Sequence, residues 1–134
     1  MSVERLSWEI IELFPEQGDW LEEEFMGLPG NRMIEFSERA VEVLPMPTQR
    51  HQMILGYLLR CLFDFVNSNH LGDVLVAPFK VKLWTGKIRS PDVMFMFASN
   101  SHKQFEDYWE GADLVMEVVS PDDPDHDIVK KKEE

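Results

Sequence analysis

Two carboxylates interrupt the most apolar segments of the chain. Asp92 directly precedes a run of five apolar residues, 93–97, and Glu117 lies inside the otherwise apolar segment 114–119. Burying an unpaired charge in an apolar interior costs more free energy than a small fold can spare. These segments can form core strands only if each carboxylate has a partner, and this requirement restricts how the strands can pair.

The remaining pattern predicts one long helix among several strands. The helix is expected from Gln49 to about Asn69, with Thr48 as its N-cap and Leu71-Gly72 as its exit. Four apolar residues at three- and four-residue spacing predict a broad face buried against a sheet: Ile54, Leu58, Leu62 and Phe65. Cys61, the single cysteine, is expected to be a small core residue.

Extended segments with turn residues between them predict the strands. The expected strands are 32–36 and 39–44 around a Ser37-Glu38 turn, 74–84 and 87–97 joined by Thr85-Gly86, and 113–119. The last segment is almost wholly apolar, as is typical of a central strand covered on both faces. Together with the helix, the pattern favours a mixed α/β fold.

Length and composition predict one domain over residues 1–134, in which residues 1–30 form an acidic helical N-terminal extension. Short helices are expected at 7–14 and 20–26, divided by the Pro15–Gly18 turn. A secretory signal and a membrane-spanning segment are not recognisable, so a cytoplasmic location is expected.

The charge is distributed unevenly along the chain. The formal net charge is −12, which by itself argues against a polyanionic partner. Residues 45–104 nevertheless carry 3 acidic and 7 basic residues, a net charge of +4, whereas the two ends are acidic. The basic excess therefore lies in the middle of the chain.

Much of that basic excess falls on one predicted hairpin, in Lys80, Lys82, Lys87 and Arg89, and no acidic residue occurs from 74 to 91. This hairpin is either a solvated edge or a ribbon that contacts phosphates with little sequence preference. A phosphate-contacting ribbon would require the acidic ends of the chain to face elsewhere.

If Asp92 and Glu117 converge on neighbouring strands, they repel each other unless a cation lies between them. Carboxylate oxygens favour Mg²⁺ or Mn²⁺ over Zn²⁺. The alternative is that each caps a loop or pairs with a nearby basic residue such as Arg89.

Three segments together carry a family resemblance. The sequence Ser-Pro-Asp-Val at 90–93, Met-Glu-Val-Val-Ser-Pro at 116–121, and Asp127 with Lys131 resemble the Uma-type family of restriction endonucleases, which is similar to the PD-(D/E)XK nucleases. In most PD-(D/E)XK nucleases a lysine lies two residues after the glutamate, where this chain has Val119. In the Uma-type pattern the lysine comes from the following helix.

The resemblance implies a restriction-endonuclease-like mixed sheet flanked by helices, with the C-terminal part of the family core missing from this chain. It implies Asp92 and Glu117 as metal ligands and Lys131 as the catalytic lysine, although Lys130 and Lys132 are equally basic neighbours. Glu35 and His51 are possible accessory residues. Their alternatives are a solvent-facing strand glutamate and a hydrogen-bonded core histidine.

The function expected on this basis is Mg²⁺- or Mn²⁺-dependent hydrolysis of phosphodiester bonds in DNA. One alternative is a catalytically degenerate member that acts as a binding or assembly module, forming a homo-oligomer through an exposed sheet edge. The other is a metal-dependent RNase or other phosphoesterase, because carboxylates alone do not select the substrate.

Overall fold

The computed structural model describes residues 15–28 and 33–119, which form two β-sheets and three helical segments. The helical segments are α1 (Glu22–Met26), α2 (Gln49–Ser68) and a 3₁₀ segment (Ala98–Lys103). The strands are β1 (Ile34–Ser37), β2 (Ala40–Val43), β3 (Gly72–Val76), β4 (Lys80–Trp84), β5 (Lys87–Arg89), β6 (Val93–Phe97), β7 (Tyr108–Glu110) and β8 (Leu114–Met116).

The strands divide between a larger and a smaller sheet. The five-stranded sheet has the order β2-β1-β5-β4-β7, and β7 runs parallel to β4 while the other neighbours are antiparallel. The three-stranded sheet, β3-β6-β8, is antiparallel throughout. The predicted α/β class with a mixed sheet is confirmed, but the strands do not form one continuous sheet.

Prolines divide the two long extended runs into four strands. The run expected over 74–84 breaks around Pro78, and the run over 87–97 breaks around Pro91. Proline has no N–H with which to continue a strand ladder. Each of the two runs passes from one sheet to the other around its proline. The predicted Thr85-Gly86 connection is confirmed, and Gly86 has a φ of 88°, in the left-handed region that glycine adopts readily.

The first hairpin is confirmed, with its turn one residue later than expected. Ser37 pairs with Ala40, so Glu38 and Arg39 form the turn. Their φ values of 53° and 59° are those of a two-residue turn with both residues left-handed, which matches the twist of paired strands. This register buries Ile34 and Phe36, whereas slipping by one residue would turn their side chains to the opposite face.

Helix α2 begins where the sequence predicts, and the Thr48 Oγ1 accepts a hydrogen bond of 3.2 Å from the N–H of His51. The prediction of a broad buried face is wrong. Val66 is buried, whereas Ile54, Phe65 and Cys61 are exposed. The helix packs on β3 of the smaller sheet, and within the described residues that narrow sheet covers only one edge of the apolar face.

The segment after β6 differs most from expectation. Residues 99–111, expected to be a plain connection, include β7, in which Trp109 pairs with Val81 and is buried beside Met94 and Met96. Strand β8 lies at an edge of the smaller sheet as described, and its Leu114 and Val115 are exposed. The prediction that 113–119 forms a central strand covered on both faces is therefore wrong for the described residues, among which β6 has that position.

The acidic segment before β1 is anchored by aromatic side chains. Trp20 and Phe25 are buried, and the Phe25 ring stacks on Phe36 with centroids 5.2 Å apart. Helix α1 is thus part of the packed structure and covers one face of the larger sheet. The predicted helix at 7–14 lies outside the described residues. In the part of the chain that is described, no helix is both long and apolar enough to cross a membrane.

Asp113, at the start of β8, ties this strand to β6 and the 3₁₀ segment. Its carboxylate accepts hydrogen bonds from the side chain of Asn100, at 3.0 Å, and from the N–H of Phe97, at 2.8 Å. The hydrogen bond from Asn100, then that from Phe97, and to a smaller extent the charge of Lys103 hold the pKa of Asp113 below its usual range.

A carboxylate whose pKa is lower in the folded than in the unfolded state stabilises the fold at pH values above its unfolded pKa. This stabilisation is lost as the pH falls through the folded pKa. We expect Asp113→Ala to lower the urea midpoint at pH 7 and the difference from the wild type to close on acidification. Urea titrations across this pH range measure it, with Asp107→Ala as a control at an exposed position. A difference between wild type and Asp113→Ala that stays constant with pH would contradict this account.

Candidate active site

The Asp92 carboxylate joins three parts of the structure. It projects from the bend between β5 and β6 and is only 6% exposed. Its Oδ2 accepts a hydrogen bond of 2.7 Å from the N–H of Val118 and lies 3.2 Å from Nε2 of His51. Because a carboxylate is an acceptor only, Nε2 of His51 carries the proton in this contact.

These two contacts leave the other carboxylate oxygen available. Within the described part of the chain, no donor contacts Oδ1 of Asp92, whereas Oδ2 is held from both sides. The carboxylate is therefore fixed in orientation by Oδ2 and can offer Oδ1 to a ligand. His51 is hydrogen-bonded but only half-buried, so it is not the core histidine of one interpretation, and its partner is the candidate ligand Asp92.

Glu117 directly follows β8, the strand that pairs with β6. Strands β6 and β8 pair antiparallel with Val93 opposite Met116. The pairing ends there, so Asp92 and Glu117 each lie one residue beyond the paired register, at the same end of the two strands. Glu117 is half-buried and follows the last residue of β8, so it lies at the strand end and not within the strand.

Glu35 is buried behind the bend that carries Asp92. It has 0% exposure, and its Oε1 lies 3.2 Å from Nη1 of Arg89 while its Oε2 accepts a 2.9 Å hydrogen bond from the N–H of Ser90. The interpretation of Glu35 as solvent-facing is wrong. Its carboxylate instead fixes the residues that lead from β5 into Asp92, because both of its oxygens bind that short segment.

The basic hairpin is engaged within the protein. Arg89 is 7% exposed and bound to Glu35, so the expectation that it contacts phosphate at the surface is wrong: its guanidinium neutralises a buried acid. Lys82 pairs with Glu22, and Lys87 donates to the Ser37 hydroxyl at 2.6 Å. Lys80 lies over the Phe25 ring, with Nζ 5.6 Å from its centroid.

The position of the acidic segment also differs from expectation. If the hairpin contacts phosphates, the acidic ends of the chain are expected to face away from it. In the structure, however, α1 lies directly against the hairpin and contacts it through Glu22. The face of β4 with Lys80 and Lys82 is thus covered in part by an acidic helix.

The donor set at Asp92 and Glu117 fits a hard divalent cation with few protein ligands. Mg²⁺ commonly binds through one or two carboxylates and fills its other positions with water and substrate phosphate. Within the described residues, no cluster of three or more histidine, cysteine or acidic side chains is arranged to hold a metal ion. Asp92 and Glu117 are the two candidate carboxylates that the described chain has at this end of the β6–β8 pair.

Sequence reasoning missed the contacts that hold these residues in place. The Val118 N–H cannot be recognised from side-chain chemistry, because it is a backbone group. The role of Arg89 depends on its burial in the run 88–96, which only the structure shows, because a buried guanidinium needs an acid nearby. Lys131, predicted to be the catalytic lysine, lies outside the described residues, as do Lys130 and Lys132.

A family model matches most of the chain. Residues 22–134 match the model of the Uma2 family, which is described as "Putative restriction endonuclease". The chain belongs to the Uma2 family. The match spans both candidate ligands and the C-terminal lysines. No curated protein matches the chain.

Membership of the Uma2 family agrees with the mixed α/β architecture, which is consistent with a restriction-endonuclease-like fold. Families with this fold generally use divalent metals, and a nuclease-like family implies a nucleic-acid substrate. In this Uma2 chain the two candidate carboxylates lie at the ends of adjacent strands, and the accessory candidates Glu35 and His51 both contact the segment around Asp92.

The buried pair predicts a large effect of removing either partner. Glu35→Ala removes the buried acid that binds Arg89 and the acceptor of the Ser90 N–H, so we expect a loss of about 3–5 kcal/mol in the free energy of unfolding. Urea denaturation measures this loss. Glu110→Ala, at an exposed strand position, is expected to change it by less than about 0.5 kcal/mol.

The double variant Glu35→Ala/Arg89→Ala tests whether the two residues act as a pair. Because each single change already breaks the contact, the double variant is expected to lose less than the sum of the two single losses. Additive losses would contradict this account, because they would show that the two residues stabilise the fold independently.

Proposed function

We propose that this protein is a metal-dependent endonuclease that hydrolyses phosphodiester bonds in DNA, with Asp92 and Glu117 holding Mg²⁺ or Mn²⁺. The observation that supports the proposal is the buried Asp92 carboxylate, whose Oδ2 is held by the Val118 N–H and by His51 at the end of the β6–β8 pair that Glu117 follows. Family membership over residues 22–134 supports the choice of a phosphodiester as the substrate.

Each contact at the site has a part in this proposal. His51 and the Val118 N–H keep the Asp92 carboxylate in one orientation, so its Oδ1 faces a ligand without an entropic penalty for ordering the side chain. Glu35 fixes the bend before Asp92. A bound divalent ion supplies Lewis-acid polarisation of the phosphate and lowers the pKa of water.

Lys131 is the proposed source of positive charge near the scissile phosphate. Its ammonium would neutralise the charge that develops on the attacked group or orient the attacking water. This assignment rests on the spacing of the family pattern, in which the lysine follows the Glu117 strand in the next helix. Hydrolysis by this route needs no covalent enzyme intermediate.

The metal-binding part is tested by thermal unfolding. We expect millimolar Mn²⁺ or Mg²⁺ to raise the melting temperature by several degrees, because an ion that binds only the folded state stabilises it by mass action. Asp92→Asn and Glu117→Gln, which preserve side-chain size, should abolish this rise together with metal-dependent nicking of supercoiled DNA.

Glu110→Gln is the matched control, since it removes one carboxylate from an exposed strand position and should keep the full metal response. An equal metal-dependent rise in melting temperature in the wild type and in the Asp92 and Glu117 variants would contradict the proposal. Lys131→Ala separates metal binding from catalysis. This variant should lose DNA nicking and retain the metal-dependent rise in melting temperature.

A second candidate function is assembly with another copy of the chain, and the observation that favours it is the edge strand β8. Leu114 and Val115 are 41% and 47% exposed, and within the described residues β8 pairs on one side only, with β6. Two apolar edge strands related by a two-fold axis could pair antiparallel and extend the smaller sheet.

Light scattering across a salt series tests this candidate. Pairing through apolar strands should give an oligomer that persists at high salt, and Val115→Lys should convert it to a monomer, because lysine on an edge strand opposes pairing. Ser99→Lys, at an exposed position outside the strands, is the control. A wild-type chain that is monomeric at all salt concentrations would exclude assembly.

A further inference from the structure

The side chain of Glu22 is bound at two points on the β4–β5 hairpin. Its Oε2 lies 3.2 Å from Nζ of Lys82, and its Oε1 accepts a hydrogen bond of 3.3 Å from the N–H of Gly86. One carboxylate thus bridges an ammonium group on the strand and a backbone donor in the turn. Both contacts join residues more than 59 positions apart in the chain.

The Lys82 ammonium and the Gly86 N–H of the hairpin are donors of the kind that bind an anion. An ammonium group and a backbone N–H that converge on two oxygens of one carboxylate can equally bind two oxygens of a phosphate. Lys80 shares the same face of β4 as Lys82, since alternate residues of a strand point the same way. No acidic residue occurs from 74 to 91, so the negative charge at this site comes from another segment.

Helix α1 itself is firmly attached, but the Glu22 side chain is accessible. Trp20 and Phe25 are buried on either side of Glu22 in sequence, and lifting the helix would expose both. The side chains of Lys82 and Glu22 remain 29% and 23% exposed, and ion pairs of this exposure contribute little stability. Rotation of the Glu22 side chain alone can therefore vacate the anion site.

We propose that Lys82 and the Gly86 N–H form a binding site for a backbone phosphate of nucleic acid, and that the Glu22 carboxylate occupies this site in the free protein. Glu22 acts as an internal competitor that lowers the affinity for DNA. The inference rests on the proposed function for its ligand class, and it adds both a phosphate contact and the residue that restrains it.

This competition makes a specific prediction about Lys82. In the wild type, Lys82→Gln should change DNA affinity little, because the lysine is already neutralised by Glu22. After Glu22→Gln, the ammonium is available to phosphate, and the same Lys82→Gln change should weaken binding. A lysine that simply contacts DNA would matter equally in both backgrounds.

The experiment is fluorescence anisotropy with a labelled DNA duplex in EDTA, over a salt series, with the full chain. Glu22→Gln is expected to tighten binding about threefold at low salt and to steepen the slope of log Kd against log salt by about one, the contribution of one phosphate contact. Glu23→Gln has the same change in net charge at an exposed position of the same turn and should do neither beyond a small uniform effect.

Each outcome separates this inference from the proposed nuclease. Equal affinities and slopes for Glu22→Gln and Glu23→Gln overturn the competitor role, while metal-dependent nicking would still support the nuclease. The absence of DNA binding by every variant in EDTA overturns the anion site, and metal-dependent nicking then tests the nuclease separately. Competition in EDTA without nicking in Mg²⁺ supports the anion site and contradicts the nuclease. Circular dichroism spectra and melting temperatures of the variants verify that they are folded.

Discussion

The Asp92 carboxylate is the contact on which the local structure around the candidate site depends. Oδ2 takes a hydrogen bond from the segment after β8 and lies against the first turn of α2, so one oxygen joins a strand end, a helix start and the bend before β6. Charge-assisted hydrogen bonds of this kind are stronger than neutral ones. The carboxylate that is proposed to bind metal therefore also positions the elements that surround it.

A second buried carboxylate supports the first from behind. Glu35 binds both the Arg89 side chain and the Ser90 backbone, three and two residues before Asp92 respectively. Removing either charge would break a buried ion pair, and this is costly in an apolar interior. The larger sheet thus determines where the bend lies, and the smaller sheet and α2 determine how the Asp92 carboxylate is oriented.

The acidic composition and the proposed nucleic-acid substrate are compatible because of how the charge is arranged. Most of the acid lies in the two ends of the chain, and one of its members, Glu22, is bound on the basic hairpin. A carboxylate held at a site suited to phosphate lowers the apparent basic character of that face. The net charge of −12 is therefore a poor guide to what the hairpin can bind.

The sequence by itself determined the long helix, the two hairpin turns and the candidate carboxylates. The bounds of α2, its Thr48 cap, the two hairpins and the pair Asp92 and Glu117 follow from local periodicity, turn chemistry and the cost of isolated charge. Only the tertiary structure decided that Pro78 and Pro91 send each long run into two sheets, that β8 lies at an edge, and that Arg89 neutralises Glu35. Local patterns indicate that a residue must be buried or paired. Which partner it finds depends on contacts between segments distant in sequence, and a single chain carries no local signal for those.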